Sequence, residues 1–95
     1  MRKSDPIHPG ETLQEDFLKP HNLSASKLAK ILDVPQNRIS DIVRCRRSIS
    51  ADTALRLERA FGVTAQFWLN LQQQYDLIVA SQKAVSLDNI ERVAA

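Results

Sequence analysis

The sequence predicts an all-α protein, and three observations carry that prediction. Apolar residues recur at helical spacing in five separate segments of the 95-residue chain. Recognisable caps or breakers separate these segments: Pro20 and Ser24, the run Asp33-Val34-Pro35, Ser50, and Gly62 with Thr64. No stretch alternates apolar and polar residues long enough to suggest a sheet.

The first helix is expected to begin near Pro9, a residue suited to an early helical position, with Leu13 and Phe17 forming an i, i+4 apolar pair and Pro20 ending it. Ser24 then caps a short second helix whose Leu28, Ile31 and Leu32 share one face. A third helix, from about Gln36 to Arg44, buries Ile39 and Ile42 and leaves Gln36, Asn37, Arg38, Ser40, Asp41 and Arg44 without a role in any core. Ser50 caps a fourth helix lined by Ala54, Leu57 and Phe61, and Gly62 is placed to end it in a left-handed conformation. Thr64 caps the fifth, Ala65 to about Ala80. Its Phe67, Trp68, Leu69, Leu71, Tyr75, Leu77, Ile78 and Val79 cover more than one stripe. One core cannot use them all, so Trp68, Leu71, Tyr75, Ile78 and Val79 are expected to form a homodimer interface, the competing reading being that Phe67, Trp68 and Leu71 are simply core. Residues 81–95 mix Val85, Leu87, Ile90 and Val93 with charges and suit a weak strand, a short helix or a frayed tail. The expected organisation is one domain over residues 1–80 and a short extension over 81–95.

Composition narrows the function. At 43% hydrophobic and 25% charged residues, with no apolar run near the ~20 residues of a membrane span, the chain reads as soluble. The opening Met-Arg-Lys-Ser-Asp-Pro has no apolar stretch behind it, so a cytoplasmic location is expected. A single cysteine, Cys45, excludes an internal disulfide, and with only His8 and His21 beside it no structural metal set is expected. Cys45 itself is expected to be a semi-buried small side chain without a redox role. Two glycines, no nucleophile paired with a base and no paired carboxylates argue against an enzyme or a cofactor. Net charge is only +2, but between Gln36 and Arg47 four arginines, Arg38, Arg44, Arg46 and Arg47, face the single acid Asp41. That is a basic patch.

Two short helices joined by a tight turn, the second with a polar outer face, describe a helix-turn-helix over residues 24–44, with the recognition helix at about 36–44. Ala29 is the small residue where the two helices can approach, Val34 plugs the turn, and Ile39 with Ile42 anchors the recognition helix. On its open face Gln36 and Asn37 can pair bidentately with adenine, Arg38 with guanine or a phosphate, and Asp41 can accept from cytosine or orient a neighbouring arginine. Ser40 completes the base-reading set, and Arg44, Arg46 and Arg47 read as phosphate clamps.

The segment Leu-Ser-Ala-Ser-Lys-Leu-Ala-Lys-Ile-Leu-Asp-Val-Pro-Gln-Asn-Arg-Ile-Ser-Asp-Ile-Val-Arg resembles the Xre and phage-repressor branch of such motifs, which implies a five-helix, phage-repressor-like domain. Asp33 and Cys45 stand where that branch commonly has glycine, and the end of the recognition helix at Cys45 is left open. His8-Pro9-Gly10-Glu11 before the first helix, with Phe67-Trp68-Leu69-Asn70-Leu71-Gln72 and Tyr75-Asp76-Leu77 downstream, is similar to the HigA family of antitoxins from about Ile7 to Ile78. The resemblance implies a dimer that binds double-stranded operator DNA, represses its own operon and neutralises a HigB-type mRNA-cleaving toxin. A free-standing phage-like repressor without a toxin is the alternative. On the residues alone, His8 reads as a lead-in packed on the first helix, and Asn70 with Gln72 as polar helix positions.

Overall fold

The computed structural model describes residues 5–83 and 86–93. Val85, expected in the extension, lies outside them, as do Met1 to Ser4. Among the described residues the secondary structure is entirely helical. Helix α1 starts as Pro9–Thr12 and continues as a π-helical stretch, Leu13–Leu18. The others are α2 (Ala25–Leu32), α3 (Gln36–Val43), α4 (Ala51–Phe61) and α5 (Ala65–Lys83), followed by a 3₁₀ turn, Leu87–Asn89. None is long and apolar enough to cross a membrane.

The expected caps form. Ser24 Oγ accepts from the Lys27 amide at 3.0 Å, Ser50 Oγ from Thr53 at 3.3 Å, and Thr64 Oγ1 from Phe67 at 3.2 Å, each meeting a donor that the helix itself leaves open. The chain turns left-handed after four helices, at Asp33 (φ 59°), Cys45 (φ 63°), Gly62 (φ 80°) and, beyond the first helix, Asn22 (φ 54°). At the first two the chain closes the same way: Val34 N–H reaches the Ala29 carbonyl at 3.0 Å, and Arg46 N–H reaches the Asp41 carbonyl at 2.8 Å. Helix α3 therefore ends at Val43 and is capped by Arg44, with Cys45 taking the glycine-like conformation just beyond it.

Leu13, Leu18, Leu28, Ala29, Leu32, Ile39, Ile42, Ile49, Ala54, Leu57 and Trp68 form one buried core. The π-helical winding matters here. Its i to i+5 bonds bring Leu13 and Leu18, both fully buried, nearer to one face than α-helical winding would. Trp68 lies at the centre, its ring 4.8 Å from Phe17 and 5.2 Å from Phe67, and its indole N–H has no acceptor among the described residues.

Three expectations need correction. Ile31 is 55% exposed, because the core meets the arc of Leu28, Ala29 and Leu32, and at ~100° per residue Ile31 points well away from it. Trp68 is 0% exposed within its own chain, so it has no surface to offer a dimer. Helix α5 runs three residues past Ala80, to Lys83, yet its only buried residues, Trp68 and Gln72, lie in its first half. The second half leaves the body of the molecule, whose principal extents are 50 × 28 × 20 Å.

Candidate nucleic-acid interface

Helix α3 is fixed from beneath by Ile39 and Ile42 and flanked on two sides. Ala29 of α2, 2% exposed, admits it closely from one side. On the other, Gly10 of α1 lies directly against the Ile42 carbonyl: a Cβ built there would stand 1.8 Å from that oxygen. His8 supports this contact, its Nδ1 accepting from the Gly10 amide at 2.8 Å while its ring stands edge-on to Tyr75 at 4.8 Å. Burial pushes the His8 imidazole below its ordinary value, with Asp76 and Glu11 pulling the other way, so the neutral ring that can accept at Nδ1 is favoured. The sequence reading of His8 as a lead-in thus understated a buried cap.

The outer face of α3 is graded in freedom. Gln36 and Asn37 are exposed, and their carboxamides make no hydrogen bond to the described residues. Arg38 is half-buried and ion-paired with Asp52 of α4, whose carboxylate also takes Arg56 Nε at 3.0 Å. Arg38 first, and Arg56 second, hold the Asp52 carboxyl below its usual range. Arg56 continues the chain of contacts by donating to the Leu32 carbonyl at 2.8 Å, tying the end of α2 to α4. Ser40 folds back on its helix, Oγ donating to the Asn37 carbonyl at 3.4 Å. Asp41 lies 3.7 Å from Arg47, so of its two expected roles the pairing with a neighbouring arginine is the one formed in the free chain.

Arg44 and Arg46 are exposed without a side-chain partner among the described residues. Arg38, Arg47, Ser48, Ser50 and Thr53 line a hollow of about 280 Å³ at the N-terminal end of α4. A phosphate seated there would meet two guanidinium groups and the positive end of a helix. Cys45 is exposed rather than semi-buried, since the left-handed turn swings it off the core. Local desolvation and the Glu11 carboxylate push its thiol above the ordinary value, against a smaller lowering by the Glu11 backbone, so the thiolate is disfavoured.

Two residues that sequence reasoning passed over hold this surface in place. Gly10 carried no signal beyond its place in a resemblance. Gln72, taken for a polar helix position, is 6% exposed and accepts from the Ile49 amide in the α3–α4 loop at 2.8 Å. Its burial was unreadable because the partner lies 23 residues away in sequence.

These helices and their exposed polar face define a helix-turn-helix protein, and a family model described as helix-turn-helix matches residues 15–68. Virulence-associated protein I of Dichelobacter nodosus is 57% identical over 84 residues, covering 88% of this chain and 78% of that protein. A Pseudomonas aeruginosa protein crystallised with its 18-base-pair operator DNA superposes with a TM-score of 0.89 at 44% identity, over 94% of this chain and 98% of the other. The Pseudomonas aeruginosa antitoxin HigA, solved with the higBA promoter, superposes at 0.85 with 41% identity, over 95% and 100%. The chain belongs to the Xre-type helix-turn-helix family, on its HigA antitoxin branch. That family consists of regulators that are not enzymes.

Proposed function

We propose that this chain is a cytoplasmic HigA-type antitoxin that binds operator DNA as a two-fold dimer, represses its own operon and neutralises a HigB-type mRNA-cleaving toxin. The observation that carries the DNA-binding part is the pair of free carboxamides, Gln36 and Asn37, at the start of a rigidly seated helix flanked by the unpaired guanidinium groups of Arg44 and Arg46. An ordinary solvated helix face has no need of two adjacent amides backed by clamps. The operator-bound Pseudomonas relatives, at 41% and 44% identity, support it.

The face is expected to divide into readers and clamps. Gln36, Asn37, Arg38, Ser40 and Asp41 form the reading set and Arg44, Arg46 and Arg47 the clamps; Asp52 orients Arg38, and Asp41 also holds the clamp Arg47. Gln36→Ala or Asn37→Ala should cost ~1 to 3 kcal/mol on the cognate operator and relax preference at one base pair. Arg46→Ala or Arg47→Ala should weaken cognate and random DNA alike and lower the salt slope by about one unit. Titrations against cognate and scrambled duplexes at several salt concentrations separate the two behaviours, and one uniform loss across both sets would refute the division.

The toxin partnership rests on family membership, and co-expression tests it. The product of the adjacent reading frame, toxic alone, should become harmless when this chain is present and should co-purify with it. Failure of growth rescue would leave a free-standing repressor.

A further inference from the structure

We propose that Gln72, on the helix that carries the expected dimer surface, is a positioning residue for DNA binding: it sets the α3–α4 loop so that Arg46 and Arg47 meet the phosphate backbone. The proposal rests on the assignment of these two arginines as clamps.

The loop from Cys45 to Ser50 is short and held at three points. Its first end is fixed where Arg46 N–H bonds the Asp41 carbonyl at 2.8 Å, and its last where Ser50 caps α4. Between them, Arg47 and Ser48 face solvent while Ile49 turns inward, 3% exposed. The Ile49 side chain is held by the core, but its amide can be satisfied only from outside the loop. Gln72 Oε1 does so at 2.8 Å. A buried N–H without an acceptor is costly enough that, lacking Gln72, the loop would lift toward water.

The orientation of the Gln72 amide is also determined. Its Nε2 donates to Asp76 Oδ1 at 3.0 Å, one turn further along α5, and a carboxylate can only accept. Oε1 must therefore face the loop. An ion pair on the solvent side of the loop, Arg47 to Asp41, is long at 3.7 Å and partly exposed, which makes it a weak substitute anchor. Arg47 stands two residues from Ile49 and Arg46 is anchored at its own amide, so a displaced Ile49 amide moves Arg47 most and draws the Arg46 side chain with it.

Gln72, buried beneath the loop, does not itself touch DNA. Its removal should thus change the electrostatic part of binding and spare the choice of base, a combination that general loss of stability does not produce. With about 0.9 units of salt slope per phosphate, Gln72→Leu should lower the slope by up to two units and reduce affinity at 0.1 M salt by tens-fold, with the cognate-to-random ratio unchanged. Arg46→Ala/Arg47→Ala should do the same, and adding Gln72→Leu to that pair should do nothing more. The charge-neutral exchange Gln72→Glu/Asp76→Asn keeps an acceptor for Ile49 and a donor–acceptor contact at position 76, so it should restore the slope.

The binding is measured on the full-length protein, well below its melting temperature, with the helical signal of each variant checked. If the arginine pair lowers the slope and Gln72→Leu does not, positioning by Gln72 is overturned while the clamps stand. If the arginine pair itself leaves the slope unchanged, the clamp assignment fails and the proposal fails with it. Should Gln72→Leu not fold, Asp76→Ala, at an exposed position, frees the amide to turn: a lowered slope supports the proposal and an unchanged one overturns it.

Discussion

Replacing Gly10 by alanine will destabilise the protein by about 3 kcal/mol, although the same exchange at an ordinary helical glycine gains up to ~1 kcal/mol. The reversal follows from the neighbour. The new Cβ would stand 1.8 Å from the Ile42 carbonyl oxygen, which is main chain and has no rotamer to turn away. Helix α1 or α3 must therefore shift, and α3 is the helix whose outer face has to meet DNA. Midpoints in urea should fall steeply, with a loss of roughly 12 to 24 °C in melting temperature for a domain of this size. Gly62→Ala supplies the contrast: nothing lies within 4 Å of its Cβ position, and only the φ of 80° is strained, so ~1 to 2 kcal/mol is expected there. Equal or smaller loss at Gly10 than at Gly62 would show that α1 and α3 do not need so close an approach.

The contrast also marks what a sequence conveys. The role of Gly62 was legible because helix termination is local, and the same holds for the caps Ser24, Ser50 and Thr64, and for Asp33, whose short side chain tolerates a positive φ. Cys45 was harder. Only the resemblance pointed to a left-handed residue there, and the chain adopts φ 63° with a side chain that pays for it in strain. Gly10 was opaque, since its need arises from a carbonyl 32 positions away. The π-helical winding of Leu13–Leu18 was equally hidden, since an i, i+4 pair of Leu13 and Phe17 fits an α-helix well.

Periodicity counts apolar residues but does not say which azimuth meets a neighbour. That is why Ile31 reads as inward from the sequence, and why Trp68 reads equally as core and as interface. In the candidate site, the buried Ile39 and Ile42 show which side of α3 faces inward, and so leave Gln36 and Asn37 outside. The partners that orient that face are not legible in this way. Asp52 reaches Arg38 from 14 positions away and Gln72 reaches Ile49 from 23, and no local pattern encodes either bond.

Changing Tyr75 and Ile78 together to aspartate is expected to convert a dimer to a monomer and to lower operator affinity by about a hundredfold or more. The dimer is part of the proposed function, and its surface can be stated more narrowly than the sequence allowed. At ~100° per residue, Leu71, Tyr75 and Ile78 fall on one stripe of α5, displaced from the Trp68 and Gln72 face that enters the core. All three are half-buried and line, with Ile7 and Thr12, a groove of about 300 Å³. Val79 extends the surface where α5 leaves the body. Folding back of the C-terminal extension would be the other way to cover it, yet Leu87, Ile90 and Val93 are themselves 56%, 71% and 102% exposed. At ~25 cal/mol per Å² an apolar stripe of this kind offsets part of the entropy of association. DNA supplies the remaining reason. One recognition helix reads only a few base pairs, whereas a two-fold dimer sets two helices about one turn, ~34 Å, apart in successive major grooves. Losing one half-site from a joined pair removes the effective-concentration advantage of the second. Leu77→Asp is the control, because Leu77 is 71% exposed on the other side of α5 and should leave mass and affinity unchanged. Light scattering at tens of micromolar, paired with operator titration, decides the matter: a wild-type mass of one chain, or full affinity in the double variant, would end the dimer proposal.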